Sequence, residues 1–162
     1  MGIIQKQTIR GSIITYVGVI IGFLTVGYLL PNYITTEQIG VLNLLVAYSL
    51  GFATLATLGI NAISNRLFPY FRNPENKHNG YFFIIFIVSI AGFILSVIVF
   101  LSLKPLIIKN NLEKSALFID YIHYILPLTF FTLIFLVLDI YYAVLFKAVK
   151  GIFIKEFLQR II

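Results

Sequence analysis

Apolar residues in this chain come in blocks rather than stripes. Four runs carry at most one charge each: "GSIITYVGVIIGFLTVGYLL" (11–30), "IGVLNLLVAYSLGFATLATLGI" (39–60), "YFFIIFIVSIAGFILSVIVFLSL" (81–103) and "ILPLTFFTLIFLVLDIYYAVLF" (125–146). Each is roughly 20 residues long, which at ~1.5 Å per residue covers a hydrocarbon layer of about 30 Å. A backbone in lipid must satisfy its own polar groups, so helices are expected. The pattern predicts an all-α, polytopic integral membrane protein with four transmembrane helices in a single membrane domain, 1–162. Pro31-Asn32, Lys104-Pro105 and Lys147 are the expected stops of spans one, three and four. Lys6 and Arg10 precede the first run as they would a cleavable signal. Its length, the lack of an A-x-A-like site and the spans behind it argue for a retained helix.

The connecting stretches are polar and short. "PNYITTEQ" reads as a tight turn, with Thr35-Thr36-Glu37-Gln38 placed to cap the second helix. "NRLFPYFRNPENKHNG" (65–80) reads as a loop punctuated by Pro69, Pro74 and Gly80. In the longer 104–124 segment, "LEKSALFIDYIHYI" has helical spacing and predicts a short interfacial helix entering span four. The tail "KAVKGIFIKEFLQRII" (147–162) alternates basic with bulky apolar residues and ends on Ile161-Ile162. It is expected to be a cytoplasmic amphipathic link into a fifth span, the chain being a piece of something longer. A complete four-span protein can also end this way.

Composition agrees with a lipid solvent. The chain is 60% hydrophobic and 11% charged, with mean hydropathy +1.00, where soluble domains carry about 25% charged residues. With the amino terminus inside, Lys6, Arg10, Arg66, Arg72, Lys77, Lys147, Lys150, Lys155 and Arg160 fall on the cytoplasmic side. Only Lys104, Lys109 and Lys114 fall outside. That asymmetry follows the positive-inside rule. The net charge of +6 is then an orientation signal and an affinity for anionic lipid heads, not a nucleic-acid footprint. With no cysteine and two histidines, the chain offers no disulfide, no thiol nucleophile and little for a metal. No catalytic set is visible, and neither an enzyme nor a cofactor is expected.

Within the runs, small and polar residues recur at helical spacing, as helix contacts in membranes require. Span one offers Gly11, Thr15, Gly18, Gly22 and Thr25; span two Asn43, Ala47, Thr54, Asn61 and Asn65; span three Ser89, Gly92 and Ser96; span four Thr132, Asp139 and Tyr142. Gly18 and Gly22 read as packing. Asn43 and Asn61 fit packing and binding equally. Asp139 lies eight residues before Lys147, about 12 Å from the span end at helical rise. A charge at the bilayer centre costs at least about 2.5–3.5 kcal/mol and usually faces a bundle interior or water. Two readings stand: a clamp with Arg66 (or Lys147), or a place on a substrate or proton path. His78, in a polar loop, is expected to be solvated. His123 is expected to join Tyr121 and Tyr124 in an interfacial belt.

The stretch "ITTEQIGVLNLLVAYSLGFATLATLGINAISNRLFPYF" (34–71) resembles polysaccharide-biosynthesis flippases of the multidrug/oligosaccharidyl-lipid/polysaccharide exporter superfamily, the O-antigen-flippase-like group. It carries a Thr/Ser-x-Glu-x-x-Gly turn, here Thr35, Glu37 and Gly40. It also carries a Leu-Gly-x-x-x-Ala/Ser-Ile-x-Arg-like exit, here "LGINAISNR" with Gly59, Asn61, Ser64 and Arg66. The tail "YAVLFKAVKGIFIKEFLQRI" is similar to that group's link into a fifth span. The resemblance implies the first four spans of the amino-terminal lobe of a larger transporter in the bacterial inner membrane. Its cargo would be undecaprenyl pyrophosphate-linked oligosaccharide, and the remaining spans would be its partner. Arg10 and Arg66 would then meet the phosphates, with Asn43 and Asn61 as further binding residues and Asp139 as a charge-pair or ion-coupling group. The chain is far shorter than that group's members. Competing expectations are a cation-coupled multidrug exporter of the same superfamily and a small non-transporting membrane scaffold.

Overall fold

The computed structural model describes residues 3–73, 75–111 and 115–145. Its elements are α1 (Ile3–Leu24), a π-helical turn (Thr25–Leu29), α2 (Leu30–Tyr33), α3 (Thr36–Ala56), α4 (Ile60–Phe71), α5 (Tyr81–Asn111), α6 (Ala116–Tyr121), a 3₁₀ turn (Ile122–Tyr124) and α7 (Ile125–Val144). Among the described residues all regular structure is helical. Four stretches of the described residues are long and apolar enough to cross a membrane: Thr8–Tyr33, Thr36–Ala56, His78–Asn111 and Ala116–Val144. The expected link 147–162 and Lys114 lie outside the described residues. The chain divides into two compact units, Glu37–Tyr141 and a second made of Met1–Thr36 with Tyr142–Ile162.

In the second unit the first span does not stop at Pro31. Proline has no N–H to bond the carbonyl four residues back, and the helix absorbs the loss by widening. Leu30 N–H donates to Thr25 O, a five-residue π step, and Thr25 Oγ1 donates to Ile21 O at 2.9 Å. The helix then runs on through Pro31 to Tyr33, and Ile34 N–H closes it on Leu30 O. Gly11 and Gly18 are buried, Gly22 and Thr25 half-buried, and Thr15 exposed.

Glu37–Tyr141 is built on two antiparallel pairings to α5. Along α3, Val41 shares a buried cluster with Ile107, Phe52 O accepts from Ser96 Oγ at 3.1 Å, and Ala56 lies against Gly92. Past Ala56, Ser64 Oγ of α4 accepts from Tyr81 OH at 2.7 Å. Along α7, the Phe93–Phe130 and Phe82–Tyr141 rings meet at 5.3 and 5.0 Å. Ser49 Oγ of α3 donates to Ile125 O at 3.4 Å and so ties α3 to α7. Ser49, Ser64, Ser89, Ser96 and Thr129 are all 2% exposed or less. Small hydroxyl residues at the contacts let backbones approach closely; Ser89 and Thr129 bond carbonyls of their own helices, and each bond between helices adds on the order of 0.6 kcal/mol in a membrane.

Two further span boundaries differ from expectation. The 39–60 run breaks after Ala56. Leu58 and Gly59 both adopt left-handed conformations, φ 48° and 77°. The next helix opens directly on Ile60, so part of the expected loop 65–80 is α4. Ile60, Ser64 and Phe68 are its buried face at four-residue spacing, and that packing holds Pro69 inside the helix. Span three passes Lys104-Pro105 and ends at Asn111, because Ile107 is buried in a cluster with Val41, Phe100, Phe118, Ile122 and Ile125. The short helix ahead of span four exists as α6, capped by Ser115 Oγ, which accepts from Phe118 N–H at 3.3 Å. Phe118 is fully buried, so α6 is seated on α3 and α5.

Candidate functional site

The candidate site lies around the break in the second span and the adjacent ends of α5 and α7. Thr57 Oγ1 donates to Thr54 O at 2.7 Å, and Ile60 N–H to Thr57 O at 2.9 Å. These bonds close the last turn of α3 and start α4. A left-handed leucine is strained, since its Cβ crowds the carbonyl that follows. Leu58 is held there between the fixed ends of two helices.

Arg66 and Asp139 come to the same end of α5. Arg66 is two residues beyond Ser64, which bonds Tyr81, and Asp139 is two residues before Tyr141, which packs on Phe82. Arg66 is exposed on α4 and Asp139 half-buried on α7, next to buried Ile140. Asn61 and Asn65 sit one turn apart on α4, both exposed. Asn43 does not join them. It stands on α3 thirteen residues (56 − 43) before the break, about 20 Å away along the axis. Arg10 is exposed on α1, in the other compact unit.

The expected polar faces divide. Ser89, Gly92 and Ser96 of span three are buried in the packed core, as their spacing suggests. Asn43, Ala47, Thr54, Asn61 and Asn65 of span two are all exposed, and Val41, Ser49, Ala53 and Ala56 are buried in their place. Spacing alone missed this because α3 carries two small-residue faces, and only packing selects between them. In span four Thr132, Asp139 and Tyr142 are half-buried, while Thr129, unremarked in the sequence, is the buried hydroxyl.

His78 departs from its expected solvation. It is half-buried, its ring centroid 5.2 Å from that of Phe68, and its Nδ1 is buried without a hydrogen-bond partner. Its backbone is left-handed (φ 57°), as are those of Asn79 and Gly80. This turn folds the ring under Phe68 while the Asn73 side chain caps Glu75 N–H at 3.1 Å. His123 lies 4.2 Å from the Tyr124 ring, and Tyr124 stacks on Tyr121 at 5.9 Å. No group of three metal-ligating side chains occurs among the described residues.

Four long apolar helices among the described residues, three of them knitted through serine, glycine and alanine, define the class: a multi-pass membrane protein. No family model matches the chain, and neither a curated protein nor a solved structure does.

Proposed function

We propose that this chain forms part of the amino-terminal lobe of a transporter that flips undecaprenyl pyrophosphate-linked oligosaccharide across the bacterial inner membrane by alternating access. The observation that carries the reading is an exposed polar set, Asn43 and Thr54 on α3 and, beyond the break, Asn61 and Asn65 on α4. The α3–α5–α7 core does not use it. Amides at membrane depth call for a protein or aqueous neighbour, and the wall of a central cavity supplies both. The resemblance over 34–71 gives that cavity its cargo. Arg66 attracts the phosphates on the cytoplasmic side, and Arg10, in the other compact unit, is a second basic residue that the resemblance offers them. Asp139 balances that positive charge or couples transport to a cation.

The test uses the full-length protein in cells whose surface polysaccharide depends on it. Arg66→Ala and Asp139→Asn each abolish surface glycan at unchanged protein level. Wild-type glycan from either variant removes that residue from the mechanism. Lost drug resistance with intact glycan would select the multidrug-exporter reading instead.

A further inference from the structure

We propose that a groove between α3 and α5 holds one acyl chain of an anionic phospholipid, with Lys104 meeting its phosphate. The groove is open along its length and has room for about 400 Å³. It exists because Ala47 and Gly51, one turn apart, leave the α3 surface low; a Cβ built on Gly51 meets nothing within 4 Å. Leu44 and Leu103 stand at one end and Leu55 toward the other, and Tyr48 is the one lining residue whose side chain carries a polar group.

Three features select a lipid tail over a transmembrane helix. The first is length. From Leu44 to Leu55 is eleven residues (55 − 44), about 16 Å at helical rise, against about 15 Å for half of a 30 Å hydrocarbon layer. The groove is one leaflet deep. Second, it does not continue. Immediately beyond Leu55, α3 ends at Ala56 and the chain breaks at Leu58–Gly59, so the groove does not run the length of α5 as a docked helix would need. The third is charge at the mouth. The Val41–Ile107 and Phe52–Ser96 pairings bring Lys104 level with Leu44. Lys104 is half-buried, and the α3 carboxylate nearest in sequence, exposed Glu37, is two turns further out. A cation there sits at phosphate depth when the tail fills the groove, and attraction near a membrane surface is on the order of 1 kcal/mol per basic residue.

The test is native mass spectrometry of the full chain in mild detergent, titrated with dioleoyl phosphatidylglycerol or dioleoyl phosphatidylcholine. Wild type retains one phosphatidylglycerol in preference to phosphatidylcholine. Gly51→Leu, which fills the floor, lowers retention of both about tenfold at unchanged helicity. Lys104→Gln brings phosphatidylglycerol down to the phosphatidylcholine level. Wild-type retention by Gly51→Leu, or wild-type headgroup preference by Lys104→Gln, overturns the assignment. So does a photoreactive residue at Ala47 that captures a peptide of this or another chain instead of lipid. None of these readings depends on what the protein transports.

Discussion

A Gly92→Val chain fails to keep its helical core. A Cβ at position 92 runs into the Ala56 carbonyl oxygen and lies 2.9 Å from the Ala56 carbonyl carbon and 3.1 Å from Leu58 Cγ. The obstacle is backbone, which cannot rotate away as a side chain can. Nor is α3 free to back off, since Ser96 Oγ holds Phe52 O one turn earlier. On the other side of the contact, Leu58 and Gly59 already occupy left-handed conformations. Overpacking a tight contact costs typically 1–3 kcal/mol, and a backbone obstacle puts the expected loss at about 3 kcal/mol or more. Thermal unfolding of the purified chain in detergent reads it directly. Ser96→Ala is the comparison, with a loss of about 0.6 kcal/mol expected for one interhelical hydrogen bond. Equal melting of Gly92→Val and wild type would show that α3 and α5 do not cross there.

The second large effect is at the opposite end of the same unit. Phe118→Ala removes a fully buried ring that stacks on Tyr48 at 5.7 Å and shares a cluster with Val41, Phe100, Ile107, Ile122 and Ile125. Lipid tails are as apolar as these side chains, so the loss is one of contacts rather than of hydrophobic burial. Phenylalanine-to-alanine changes in packed cores cost about 3–5 kcal/mol, and the lower figure is expected. The change is local. Hydrogen exchange should speed up in α6 and the first turns of α3, while α4 around Ser64 and Tyr81 keeps its protection. Uniform acceleration across α3–α7 would contradict the separation of the two packed ends.

The four apolar spans were legible because lipid imposes a length and a composition that few other structures share. Their ends were less so, for a reason visible at each proline. Pro31, Pro69 and Pro105 are local breakers, yet all three lie inside helices. At Pro31 the π turn re-routes the hydrogen bonds, and near Pro69 and Pro105 the burial of Phe68 and Ile107 holds the helix together. Conversely, the break at Thr57–Gly59 sits inside a run with no charge and no proline. Gly59 marked it, but a lone glycine in an apolar run is as often a packing residue. At the candidate site, placing Arg66 and Asp139 at one end needed only the span order. Which small-residue face of α3 turns inward is decided by Ser49 and Ala53 meeting their neighbours, and periodicity cannot rank two faces of equal size.

The central claim is that α5 carries the chain from one side of a bilayer to the other. The native sequence has no cysteine, so single cysteines at Asn76, ahead of α5, and at Lys109, in its last turn, both exposed, report cleanly. In intact cells a membrane-impermeant maleimide should label the cysteine at 109 and reach that at 76 only after permeabilisation. Labelling of both from the same side would contradict the account.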